Sequence, residues 1–193
     1  MKKLPPSPSL SQACDAVIPT LAYALLLRHD ETSHLNCSHF FAEDDGLRIL
    51  IPLSKTENYR EGKYAFLFKE NRSLHDLFFK YLKTSNSKRQ NRFLFGPIGF
   101  DCLVKRQIIE NKKLSYYVFN KIVKDAVSNL GLNPGKFGIH FARSEGATAL
   151  VPFVTQFELM LSGYWSDPRS IGSYVETQSF MRFEINHELN INI

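Results

Sequence analysis

The stretch SYYVFNKIVKDAVSNLG, residues 115–131, constrains the fold more than any other. Phe119, Ile122, Val123, Ala126, Val127 and Leu130 recur at helical spacing, and Gly131 is the residue at which such a helix stops. A helix with one apolar face must bury it against other elements, so the chain has to build a core. Other segments read the same way. TLAYALLLRHDETSHL, residues 20–35, is a helix whose dense apolar run breaks into charge at Arg28, which puts Arg28 at an edge of the core. Ser73 with Asp76 three residues on reads as a capping box for LHDLFFKYLK. After the NPGKFG loop a further helix starts near Ile139 and carries His140 and Arg143 on one face.

Between the first two helices the pattern changes. SHFFAEDDGLRILIPLSKTENYREGKYAFLF, residues 38–68, has short apolar runs and the turn signal EDDG, which predict a small antiparallel sheet with its second loop at SKTENYREG. Lys55 then lies in or beside a hairpin loop. The polar, basic TSNSKRQNR is a surface loop, and no internal repeat is present.

The 193 residues suffice for one substantial domain, and 44% apolar with 22% charged residues is an ordinary folded composition. A net charge of +5 and a pI near 9.1 suit a polyanionic partner, with nucleic acid first among them. Three widely spaced cysteines, Cys14, Cys37 and Cys102, do not form a disulfide framework, which points to a reducing interior. MKKLPPSPSL is not a signal peptide and no apolar run reaches the length of a membrane span, so the expected setting is intracellular, with no membrane association. His29, His34, Cys37 and His39 lack paired metal-ligand spacing, and no metal or cofactor is expected.

Taken singly, Arg28-x-x-Glu31 is a helix-surface ion pair, His140-x-x-Arg143 a solvated helix face, and Trp165 and Tyr174 core aromatics. Their joint order changes that reading. LLLRHDE supplies Arg28 and Glu31, LSKTE supplies Lys55, IHFARSEG supplies His140 and Arg143, and GYWSDPRSIGSYV supplies Trp165 and, nine positions on, Tyr174. The series resembles the catalytic domain of the tyrosine recombinase, or phage integrase, family over residues 20–176. That family's pattern is Arg, a hairpin Lys, His-x-x-Arg, then His or Trp, then a nucleophilic Tyr.

The resemblance implies a mainly α domain with a small three-stranded antiparallel sheet, acting as a site-specific recombinase on double-stranded DNA. Arg28 and Arg143 would clamp the scissile phosphate, since guanidinium is always charged and its planar fork matches phosphate oxygens, with Glu31 orienting Arg28. Tyr174 would be the nucleophile and form a 3′-phosphotyrosyl link, with His140 assisting its deprotonation. Lys55 would protonate the departing 5′-oxygen, and Lys63 across the loop is a substitute for it. Trp165 stands where the family has His or Trp; its indole N–H only donates, so its role is stabilising. Tyr164 is an alternative hydroxyl in the wrong register. Two neighbouring functions share these features: a DNA-binding remnant of a mobile element that has lost activity, and a type IB topoisomerase. The implied partners are DNA and further copies in a tetrameric synapse, in a nucleoid or a nucleus according to the host.

Around this domain the sequence divides into a lead segment, residues 1–19, and a tail, residues 177–193. The tail FMRFEINHELNINI carries Phe180, Phe183, Ile185 and Leu189 where family members pass an element to a neighbouring protomer. Family members also carry an N-terminal helical domain of roughly a hundred residues that grips DNA from the other side, and only about twenty residues precede the first helix here. The expectation is either a catalytic fragment or a lone domain with weakened DNA affinity.

Overall fold

The computed structural model describes residues 9–52, 63–85, 93–100, 106–109 and 111–172. In chain order these contain helices α1 (Leu10–Ala24) and α2 (His29–Ser33), strands β1 (Phe40–Glu43), β2 (Gly46–Ile51) and β3 (Lys63–Phe68), and helix α3 (Arg72–Ser85). Strands β4 (Ile98–Phe100) and β5 (Arg106–Ile108) follow, then helices α4 (Tyr116–Asn129), α5 (Phe141–Leu150), α6 (Gln156–Gly163) and α7 (Pro168–Ile171). The architecture is mainly α with one three-stranded antiparallel sheet, order β1-β2-β3, as the sequence led us to expect. A two-stranded hairpin, β4-β5, is an addition to it.

Helix α1 is the centre of the core. Val17, Ile18, Leu21 and Ala22 are completely enclosed and pack with Phe78 and Tyr81 of α3, Phe119 and Val123 of α4, and Ile49 and Ile51 of β2. The helix starts ten residues before the expected boundary at residue 20, which falls inside it. Its start is a reciprocal cap: Ser9 Oγ accepts from Gln12 N–H, and Gln12 Oε1 accepts from Ser9 N–H at 2.9 Å. Pro19 stands within the helix and does not end it, although its ring nitrogen has no hydrogen to donate.

The single helix expected over residues 20–35 is two. The chain leaves α1, passes through the left-handed region at Leu26 (φ 51°), and restarts at α2. The charge that begins at Arg28 marks a new helix N-terminus as well as the edge of an apolar face. Helix α3 is present, but Ser73 lies in its first turn and Asn71 Oδ1 accepts from Leu74 N–H, so the expected Ser73 capping box is not its start. Helix α4 follows the expected periodicity, with Ser115 capping it and Gly131 (φ 76°) beyond its end.

The register of the sheet decides what faces inward. Leu47, Ile49 and Ile51 pair with Leu67, Ala65 and Lys63, and this set lies toward the core. Arg48 and Leu50 pair with Phe66 and Tyr64 on the other face. Alternation along β3 therefore carries Lys63 inward with Ala65 and Leu67. A second, smaller apolar cluster of Leu26, Ala147, Leu159, Trp165 and Ile171 joins α5, α6 and α7 to the end of α1.

Candidate active site

Glu31 is the hub of a buried group of charges. It is the third residue of α2, and its Oε2 accepts from the Arg28 N–H at 2.7 Å, closing the first turn. Its Oε1 accepts from Arg28 Nη1 at 3.2 Å and from Lys63 Nζ at 2.7 Å. Arg143 Nη1 lies 3.7 Å from Oε2. Side-chain exposure is 1% for Glu31 and Arg143, 5% for Lys63 and 15% for Arg28, so Arg28 stands nearest the surface. Three cations from the α2 start, β3 and α5 thus meet one carboxylate, so among these four described side chains the positive charges outnumber the negative.

Close helix packing delivers Arg143 to this place. A Cβ at Gly146 would stand 2.3 Å from the Tyr23 carbonyl oxygen, so α5 approaches the end of α1 as only glycine permits. One turn earlier, Arg143 donates through Nη1 to the Leu26 carbonyl, which the left-handed turn presents, and through Nη2 to the Gly163 carbonyl at 2.6 Å. Its Cζ lies 4.4 Å from the centre of the Trp165 ring. The sequence assigns Trp165 a stabilising role, either on a phosphate oxygen or by packing. Its ring is enclosed in the smaller cluster, against Gly163, where it forms a floor under Arg143.

His140 occupies the N-cap position of α5, three residues before Arg143, and is exposed. Partial burial, then the Arg143 and Arg28 charges, hold its imidazole below the usual value of 6.5. It is therefore predominantly neutral at pH 7, as a proton acceptor must be. For Lys63, burial presses the ammonium below its usual range; Glu31 opposes this, while Arg143 and Arg28 reinforce it.

Tyr164 ends α6 in the left-handed conformation (φ 52°, ψ 48°). Its ring lies 4.4 Å from Lys63 Nζ and its hydroxyl donates to the Tyr64 carbonyl, so the hydroxyl weighed as an alternative nucleophile is bonded to the β3 backbone. Lys55 and Tyr174 lie outside the described residues. Of the sequence-predicted set, Arg28, Glu31, Arg143 and Trp165 come together, with His140 near enough to feel both guanidiniums. Lys63, named from the sequence only as a substitute for Lys55, takes a central place here, and its phase with Ala65 and Leu67 was a readable signal. The histidines near α2 are used locally: His34 Nδ1 lies 2.7 Å from the Asp30 carbonyl and His39 Nδ1 accepts from Asn36 N–H. Among the described residues no group of three His, Cys, Asp or Glu side chains could hold a metal ion, and no helix is long and apolar enough to cross a membrane.

An anion is the natural complement of this site. Buried cations that outnumber their carboxylate are costly, and a phosphate oxygen set beside the arginines would lower that cost through charge-assisted hydrogen bonds. Arg28, the most exposed of the three cations at 15%, is the one an anion approaching from solvent would reach first. Both terminal nitrogens of Arg143 are on backbone carbonyls, so its contribution in this state is charge from beneath.

No protein-family model matches the chain, and no curated protein matches it by sequence. Solved structures do. The chain is similar to the XerH site-specific recombinase bound to difH substrate in a pre-cleavage complex, with TM-score 0.67 and 15% identity, covering 94% of this chain and 48% of that one. It is similar to the XerA recombinase, with TM-score 0.62 and 12% identity over 100% of this chain and 66% of that one. It is also similar to the Tn1549 transposon integrase in complex with circular intermediate DNA, with TM-score 0.53 and 14% identity over 95% and 66%. The chain thus has the fold of tyrosine recombinase catalytic domains and spans about half the length of the XerH chain.

Proposed function

We propose that this chain cleaves and rejoins DNA strands as the catalytic domain of a site-specific recombinase, through a 3′-phosphotyrosyl link to Tyr174. The observation that carries the reading is the convergence, among the described residues, of three cations, Arg28, Lys63 and Arg143, on the one carboxylate of Glu31, a concentration of positive charge of the kind a phosphodiester needs. The resemblance of the ordered residues and the likeness of fold support the same conclusion independently.

In this mechanism Arg28 holds a non-bridging oxygen of the scissile phosphate and Arg143 adds its charge. A direct bond from Arg143 requires that its carbonyl partners be exchanged when DNA binds, in keeping with catalytic contacts that tighten only in the complex. The Tyr174 oxygen attacks phosphorus and its proton passes to neutral His140. The bond from phosphorus to the 5′-oxygen breaks, and Lys55 returns a proton to that oxygen. The tyrosyl link conserves the phosphodiester's energy, so a 5′-hydroxyl of another strand reverses the step without ATP. Double-stranded DNA is the partner, and strand exchange calls for a multimer of this chain on two sites.

The test is covalent capture on nicked suicide duplexes carrying randomised sites. Wild-type protein forms an adduct; Tyr174→Phe forms none, yet binds the same duplex within a few-fold, since a lost tyrosine hydroxyl costs at most roughly 1 kcal/mol of binding or stability. Affinity falls steeply as salt is raised, because each neutralised phosphate releases counterions. An adduct from Tyr174→Phe overturns the assignment of the nucleophile. Salt-sensitive DNA binding with no adduct on any site identifies the protein as an inactive DNA-binding relative, and relaxation of one duplex without joining two sites identifies it as a topoisomerase.

A further inference from the structure

Lys63 is the one buried cation of the site that the cleavage chemistry above leaves without a task. It is the first residue of β3 and points inward opposite Ile51, a register position otherwise filled by apolar side chains. An ammonium there is costly to desolvate and is retained only against good partners. It has two. Nζ donates to Glu31 Oε1 at 2.7 Å, and the face of Tyr164 lies 4.4 Å away. Tyr164 is itself fixed by its hydroxyl bond to the Tyr64 carbonyl, one residue along the same strand.

The geometry assigns Lys63, seated between the Glu31 carboxylate and the Tyr164 ring, as a positioning residue that fixes Glu31 so that Glu31 in turn aims the Arg28 guanidinium. The relevance to DNA cleavage rests on the recombinase reading; the effect on Arg28 does not. Glu31 uses Oε2 for the Arg28 backbone and shares Oε1 between Lys63 and Arg28 Nη1. Without Lys63, Oε1 has only Arg28 to orient it, and carboxylate and guanidinium swing together. Arg143 responds differently, because the Leu26 and Gly163 carbonyls and the Trp165 ring hold it whatever Glu31 does. Lys63 and Tyr164 therefore form a brace between β3 and the α6–α7 corner, and Arg28 receives its benefit.

The deciding experiment has two readouts on the full chain. The first, in protein without DNA, is rotation of each guanidinium about its Nε–Cζ bond, followed by NMR. In Lys63→Met the Arg28 rotation becomes about tenfold faster, the consequence of loosening one charge-assisted hydrogen bond, while Arg143 is unchanged. The second is the rate of adduct formation on a suicide duplex, which falls about 100-fold, as expected for a misaimed catalytic group, with duplex affinity within about threefold. Lys63→Arg, which keeps a charged donor for Oε1, restores most of both; Lys63→Gln, which keeps a neutral donor, lies between and serves if the Met variant does not fold. A substrate whose 5′ leaving oxygen is replaced by sulfur needs no proton on departure, and the inference requires that it not rescue Lys63→Met. Unchanged Arg28 rotation overturns the inference, and so does rescue by the sulfur substrate, which would make Lys63 a proton donor. If Arg28 loosens as expected but wild-type protein forms no adduct on any site, the brace stands and the cleavage reading falls.

Discussion

Two cations on opposite faces of the same sheet have nearly the same partners and very different surroundings. Lys63, on the inner face, pairs with Glu31 at 2.7 Å and lies 4.4 Å from the Tyr164 ring. Arg48, on the outer face, pairs with Glu43 at 2.7 Å and lies between the Phe41 and Tyr64 rings at 5.1 and 4.9 Å. The contact inventory hardly separates them. Exposure does, at 5% against 42%, because water and salt screen the outer pair and reach the inner one poorly. A buried cluster in which three cations share one carboxylate is costly to desolvate and suited to meeting an anion, whereas a screened surface pair accomplishes little beyond covering aromatic area.

Removing the acid from each pair gives the largest expected difference. Glu31→Ala removes the carboxylate that Arg28, Lys63 and Arg143 share, and should lower unfolding stability in urea by about 3–5 kcal/mol, the range for breaking a buried pair. Glu43→Ala should cost no more than about 0.5 kcal/mol. Equal losses would mean that the inner cluster is reached by water after all, and the argument from excess buried charge would fail with it.

A smaller effect tests whether the inner charges act on a neighbour. His140 titrates below 6.5 because partial burial and the two guanidiniums disfavour its protonated form. In the proposed mechanism His140 acts in its neutral form, present above the lowered value and lost as pH falls through it. The acid limb of adduct formation should therefore have its midpoint below 6.5, and His140→Gln should slow the reaction by about 100-fold at neutral pH while flattening that limb. A midpoint at or above 6.5 would show that the guanidiniums do not govern the imidazole.

How much of this was legible from the chain differs by type of signal. The periodicity of α4 and the turn at Glu43–Gly46 are local, and both elements formed where the sequence indicated. Arg28, Glu31, Arg143 and Trp165 were singled out by the resemblance in their order and spacing, and the structure brings these four together. The first half of α1 was missed, although Ser9 and Gln12 carry the cap that starts the helix. Strands β4 and β5 have three residues each, too few for a period to declare itself. The short helix α6 was announced only by Thr155 and Glu158, whose side chains cap it reciprocally. The bond from Tyr164 to Tyr64 joins residues 100 positions apart, and nothing local to either encodes it.

The smallest expected effect lies on the outer face and is as informative as the largest. In Arg48→Met the exposed ion pair with Glu43 is lost, a contribution of about 0–1 kcal/mol. The exposed cation–π contacts with Phe41 and Tyr64 are lost as well, at about 0.5–1 kcal/mol. Methionine returns much of this, since its unbranched stem covers the same rings and its sulfur packs favourably against aromatic edges. The net change in unfolding stability should stay within about 0.5 kcal/mol and shrink further in 1 M salt, where the Debye length is about 3 Å. Adduct formation should match wild type, because Arg48 has no contact with Glu31 or either site arginine. A loss above about 1.5 kcal/mol, beyond what a screened pair contributes, would mean that exposure is not what separates the two faces. The contrast between Lys63 and Arg48 would then have to be sought in Glu31's three partners against Glu43's one.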